Sequence, residues 1–156
     1  MRLFLAITVP FYILDQVTKV LVLKYIGTED VIPVIPGFFN LVQVHNTGAA
    51  FGMLSNNNAL FMALLIGALI GVAILWKKGV FKDRPSQIAA ALLLAGIAGN
   101  LTDRILHGFV VDFLDFILPW YGHWPSFNVA DSCICVAAGL FIISSLLEGR
   151  KVPKPA

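Results

Sequence analysis

Asp112, in the run VVDF, and Asp131, in the run FNVAD, stand where apolar stretches of membrane-spanning length meet short connections. Carboxyl groups are expensive there, so an ionisable side chain in such a place marks a site of function by default. Two carboxyls brought together cannot both ionise cheaply, and one keeps a proton. The ionised member can take a proton from water while the protonated member donates to the oxygen of a scissile carbonyl. The chemistry on offer is hydrolysis with no covalent enzyme intermediate. An apolar wall favours one bound proton near neutral pH, and both titrations then belong to the pair.

The elements that must position these acids follow from composition. The chain has 156 residues, 58% hydrophobic and 13% charged, with a mean hydropathy of +0.85. A soluble domain carries roughly 25% charged residues, so the composition points to a membrane. A net charge of +2 is too small to suggest a nucleic-acid partner. Cys133 and Cys135, two residues apart, diverge by roughly 200° around a helix and make a poor metal clamp. They read as ordinary apolar side chains. His45, His107 and His123 are scattered, without the spacing of a metal site.

Four segments approach the roughly 20 residues needed to cross a bilayer: 3–23, 58–76, 87–106 and 127–147. The first is interrupted by Asp15, Gln16, Thr18 and Lys19 and is followed by no A-x-A site, so it is expected to stay in the mature protein. Arg2, the group Lys77, Lys78, Lys82 and Arg84, and Arg150, Lys151 and Lys154 place both termini in the cytoplasm. The connections 24–57 and 107–126 then lie outside. The expectation is one integral membrane domain over 1–156: an all-α membrane protein of four transmembrane helices with a small extracytoplasmic β-sheet segment and a short interfacial helix. The stretch FFNLVQVHNTGAAFG supplies the strand and a Gly-containing turn. HGFVVDFLDFILPWYGHWP, with Trp120, Tyr121 and Trp124, supplies the helix and a Pro-bounded turn at the headgroup layer. Gly67 with Gly71, and Ala95 with Gly99, are small-residue pairs that would let helices approach closely.

This topology collects polar residues at one side of the membrane. Asn100, Asp103 and Arg104 fall near the outer end of the third span, and Asp131 about 6 Å below the start of the fourth. Asp15 lies past the midplane towards the outside, and Asn46 comes from the outer strand. Some have plainer readings. Asp15 and Lys19, four apart, neutralise each other; Asp103 and Arg104 anchor a helix end; Asp115 is the solvated edge of the interfacial helix; Asn128 caps the fourth span. The Asp112 and Asp131 pair is hard to explain by solubility.

The ordered runs DQVTK, NTGAAFG, AGIAGNLTDR, VVDF and FNVAD, spread over residues 15–131, resemble bacterial lipoprotein signal peptidase, the signal peptidase II family. The resemblance implies an intramembrane aspartyl endopeptidase of the bacterial cytoplasmic (inner) membrane, multi-pass, with its site near the extracytoplasmic face. It implies removal of the signal peptide from diacylglyceryl prolipoproteins, before the lipidated cysteine. Asp112 and Asp131 would be catalytic, and Asp15, Asn46, Asn100, Asp103, Arg104 and Asn128 would support or bind substrate. No cofactor and no metal is expected. The partners are prolipoproteins, membrane lipids and cyclic peptide inhibitors such as globomycin, with the chain acting as a monomer. Two alternatives remain from the residues alone: a proton-coupled transporter, which would show repeats and broken helices, and a non-catalytic membrane assembly protein.

Overall fold

The computed structural model describes residues 2–48 and 57–149. Residues 49–52 of the Gly-containing turn and the basic residues Arg150, Lys151 and Lys154 lie outside them. Among the described residues, four helices, α1 (Arg2–Tyr25), α2 (Asn58–Lys77), α3 (Arg84–His107) and α4 (Val129–Gly149), accompany four strands, β1 (Val31–Ile35), β2 (Phe39–Asn46), β3 (Val110–Leu118) and β4 (Gly122–His123). All four helices are long and apolar enough to cross a membrane.

Helix α3 is central because its sequence is small. Ala89, Ala90, Ala91, Ala95, Gly96 and Gly99 are buried, so neighbours approach its backbone closely. A Cβ at Gly96 would run into the Ala130 carbonyl of α4, and one at Gly99 into the Asp15 carboxylate of α1. Of the expected small pairs, Gly99 thus serves a contact, whereas Gly67 and Gly71 have open space beside them. Gly96 had no part in either pair. Asp83 caps α3, accepting from Ser86 N (3.0 Å) and from Ser144 Oγ of α4 (2.8 Å). These bonds hold its carboxyl below the usual carboxylate range. At the other end Gly108, with φ at 81°, donates to the Arg104 carbonyl and turns the chain directly into β3.

The strands form one antiparallel sheet in the order β1-β2-β3-β4. Where the sequence predicts a short interfacial helix, residues 110–118 are a strand paired along β2. The reason is visible in VVDFLDFIL, which is rich in β-branched and aromatic residues. Val111 and Phe113 pack on Val22 of α1 and on Ile26 just after it, while Asp112 faces the other way, as a period of two requires. Strand β2 also supplies the hydrogen-bonding partners that an isolated surface helix would not need.

A register shift between Leu41 and Val44 puts four steps of β2 (Asn40 to Val44) opposite three of β3 (Asp115 to Asp112). The extra residue keeps facing partners in phase although Asp112 and Asp115 point to opposite faces. Asp115 is therefore no solvated edge. It is 4% exposed and accepts from Asn40 Nδ2 (2.8 Å), with His123 Nδ1 of β4 also 2.8 Å away.

Candidate active site

The fourth helix starts with a reciprocal cap. Asn128 Oδ1 accepts from Asp131 N (2.9 Å), and Asp131 Oδ2 accepts from Asn128 N (3.3 Å). Asp131 thereby sits in the first turn with its side chain bent back to the helix start. The capping role expected of Asn128 is real, and it accompanies a second one. Asn128 Nδ2 donates to Asp112 Oδ1 (2.7 Å), so one asparagine touches both acids.

Two further asparagines complete the cradle. Asn46 Nδ2 donates to Asp112 Oδ2 (2.8 Å), and Asn100 Nδ2 donates to Asp131 Oδ1 (2.8 Å). Each amide has its orientation fixed from behind. Asn46 Oδ1 accepts from Gly48 N (3.0 Å), Asn128 Oδ1 from Asp131 N, and Asn100 Oδ1 from Lys19 Nζ (3.0 Å). An amide whose oxygen already faces a donor must present its NH2 to the carboxylate.

Behind the cradle lies a buried ionic group. Lys19 Nζ is 2.9 Å from Asp15 Oδ2 and 2.9 Å from Asp103 Oδ2. Asp15 Oδ1 accepts from Ala130 N (2.8 Å), and Asp103 Oδ2 accepts from Val111 N (3.0 Å). Gln16 Nε2 reaches both acids, at 3.1 Å from Asp15 and 3.2 Å from Asp103. Asp15 and Lys19 do pair along α1 as expected, yet Lys19 has two more partners that i,i+4 spacing could not show. Asp103 pins β3 rather than a lipid interface.

Arg104 takes a separate position. It donates to the Gly48 carbonyl (2.9 Å) and to Asn58 Oδ1 (3.2 Å), with its guanidinium 4.4 Å from the Phe61 ring centre. Among the described residues these bonds engage two of its five N–H groups.

These groups open on one cavity of about 800 Å³. Its polar floor carries Asn46, Asn100, Arg104, Asp112 and Asp131. Its apolar wall comes from Phe61, Leu64, Leu65 and Ala68 of α2 with Leu93, Ile97 and Ile134. Trp124, Pro125 and Ser126, between β4 and α4, form a further side; the sequence marked Trp124 only as an interfacial aromatic. Burial, then the nearby Asp131 charge, push the Asp112 carboxyl up to about 7 against the opposing bonds from Asn46 and Asn128. Of the site residues expected from the sequence, Asn46, Asn100, Arg104, Asp112 and Asp131 line this cavity, Asn128 bonds both of its acids, and Asp15 and Asp103 belong to the ionic group behind it. The arrangement suits acid–base chemistry on a bond whose flanking groups are apolar.

Residues 7–147 match the family model described as signal peptidase (SPase) II. The chain belongs to the signal peptidase II family. Family members of similar length include the lipoprotein signal peptidase of Syntrophotalea carbinolica, 41% identical over 95% of this chain and 93% of that one. That of Geobacter metallireducens is 37% identical over 98% and 96%. Among solved structures, a bacterial membrane enzyme determined by the in meso method at 2.3 Å superposes with a TM-score of 0.91 at 36% identity, over 100% of this chain and 95% of that one. A second, at 1.9 Å, gives 0.85 at 37% identity over 94% of each. This signal peptidase II family member is a multi-pass membrane peptidase.

Proposed function

We propose that the chain is an aspartyl endopeptidase that removes signal peptides from diacylglyceryl-modified prolipoproteins, cleaving before the lipidated cysteine. The observation that carries this is the meeting of Asp112 and Asp131 through Asn128 on the floor of a cavity whose wall is apolar. Asp131 is the base. It lies at a helix N-terminus, where a negative charge is favoured, and receives two N–H donors. Asp112, with its proton held up to about 7, is the acid that donates to the carbonyl oxygen as water attacks. As the C–N bond of the hydrated carbonyl breaks, the proton taken by Asp131 passes to the leaving amine and Asp112 takes one back from the hydroxyl that becomes the new carboxyl's carbonyl oxygen, so the pair returns to its single-proton state. Arg104 grips a substrate carbonyl, and Asn46, Asn100 and Asn128 hold the acids.

The membrane position follows the same reading. The basic residues cluster where α2 gives way to α3, Lys77 ending α2, Lys78 and Lys82 in the turn and Arg84 beginning α3, at the end of the bundle away from the cavity. Basic connections stay in the cytoplasm, so the termini are cytoplasmic and the site faces the outer leaflet of the bacterial inner membrane. The acyl chains of the lipidated cysteine lie against Leu64, Leu65, Ala68 and Ile134, entering between α2 and α4 from the bilayer. A cyclic peptide such as globomycin would occupy the same floor. The chain acts as a monomer.

A gel-shift assay with a diacylglyceryl prolipoprotein in detergent tests this. Asp112→Asn and Asp131→Asn should each lower cleavage by at least about 10³-fold at an unchanged yield of folded protein. Substantial turnover by either variant removes that residue from the dyad.

A further inference from the structure

We infer that Lys19 is a positioning residue that holds both aspartates of the dyad in register and fixes the amide that faces Asp131. The inference rests on the aspartyl reading above. Lys19 is 2% exposed, and all three of its N–H donors are committed: to Asp15, Asp103 and Asn100. An ammonium that merely neutralised Asp15 would need one partner.

What the three partners do is alike. Asp15 binds the backbone N–H of Ala130, the residue before Asp131. Asp103 binds the backbone N–H of Val111, the residue before Asp112. Asn100 binds Asp131 itself. The dyad members come from separate elements, β3 and α4, and each is anchored one residue upstream by an acid on Lys19. The ammonium thus joins α1 and α3 to the two pieces of backbone that carry the acids.

Lys19 also decides which end of Asn100 meets Asp131. Asn100 Oδ1 faces Lys19 Nζ and, at 3.3 Å, Asn128 Nδ2. Without the ammonium, one weaker donor remains to stop the amide from turning over. A turned amide would set its oxygen against the Asp131 carboxylate, a repulsive contact. The charged groups around Lys19 are Asp15 on α1, Asp103 and Arg104 on α3, Asp112 on β3 and Asp131 on α4. Two cations thus face four acids, and the cluster carries one net negative charge when the dyad keeps its single proton. Removing Lys19 leaves more negative charge around the dyad, which then holds its proton to higher pH.

The experiment compares Lys19→Met, Lys19→Gln and the charge-balanced Asp15→Asn/Lys19→Gln with wild type, reading folded yield, kcat, KM and the pH profile of kcat/KM on lipidated prolipoprotein. Lys19→Met should lower kcat about 100-fold with KM within about threefold, and move the acid limb up by about one pH unit. Lys19→Gln restores a donor to Asn100 without the charge. It should recover about tenfold of the lost kcat and keep the displaced limb. Folded Lys19→Met with wild-type kcat and limb would overturn the inference, as would a loss carried wholly by KM. If the single variants fail to fold, the double variant decides: reduced kcat supports the role and wild-type kcat refutes it. Turnover by Asp112→Asn or Asp131→Asn, assayed alongside, would instead sink the dyad reading itself.

Discussion

Three asparagines decide how two like charges share a site. Each Asp112 oxygen receives one amide N–H, and the Asp131 oxygens receive an amide and a backbone N–H. Donors of this kind favour ionised carboxylates, while burial and mutual repulsion favour the proton. For Asp112 the second pair wins, and its carboxyl rises to about 7. A raised carboxyl is protonated below that pH and ionised above it, so the acid function proposed for Asp112 is present below about 7 and lost as pH rises through it. Cleavage by wild type should therefore fall about tenfold per unit well above neutrality, measured as kcat/KM in detergent at constant ionic strength. A rate that stays level to strongly alkaline pH would contradict Asp112 as the acid. The same proton is absent from the unfolded chain between about pH 4 and 7, so stability should decline with rising pH across that window. Arg104 acts differently, through geometry. Arg104→Lys keeps the charge and loses the planar fork, and should raise KM about tenfold with little change in folded yield.

At the scale of the elements, each acid is placed by a local device. Asp131 is aimed by the reciprocal cap with Asn128, and Asp112 by the strand pairing with β2. Asn128→Ala removes both the cap and the amide on Asp112. The lost cap alone costs about 1 kcal/mol, visible as a lower melting temperature, and turnover should drop about 100-fold. Asn128→Asp separates the two effects, because it caps equally well but sets a third carboxyl against the dyad. The glycines of α3 carry a different burden. Gly99→Ala drives a methyl into the Asp15 carboxylate, with an overpacking cost of about 1–3 kcal/mol. Gly71→Ala, facing open space, should be close to neutral in a thermal unfolding assay. The sequence displayed both small-residue pairs equally, since spacing along a helix says nothing about which face has a neighbour. It also displayed VVDFLDFIL as helix, because the partner strand lies far away in the chain. Asp115 and its link to His123 were hidden for the same reason.

Across the whole molecule the polar groups gather at one end of an apolar bundle, under a sheet that both outer segments build together. Among the described residues helix α2 buries only Val72, although its C-terminal end is tied by Trp76 to Phe4 and Phe81. Its outer half faces the cavity with Phe61, Leu64, Leu65 and Ala68. In the proposed function this is the side by which a lipid-bearing substrate reaches the acids without leaving the bilayer. Ala68→Phe should fill part of that space and raise KM for a diacylglyceryl substrate about tenfold. Binding of acyl chains at a different wall would leave KM unchanged.

The amino-acid sequence alone determined the number of apolar spans, the strand in the first outer segment, and which acids and amides gather around the cavity. Those features depend on local hydropathy, on the cost of a carboxyl in an apolar setting, and on ordered motifs that resemble a family. The tertiary structure decided the rest: that the second outer segment is a strand, that Asp115 is buried, that Gly96 bears a helix contact, and that Lys19 gathers three partners. Each of these depends on which groups face one another across the fold. A strand needs a partner edge and an ammonium needs acceptors around it, and neither neighbour is adjacent in the chain.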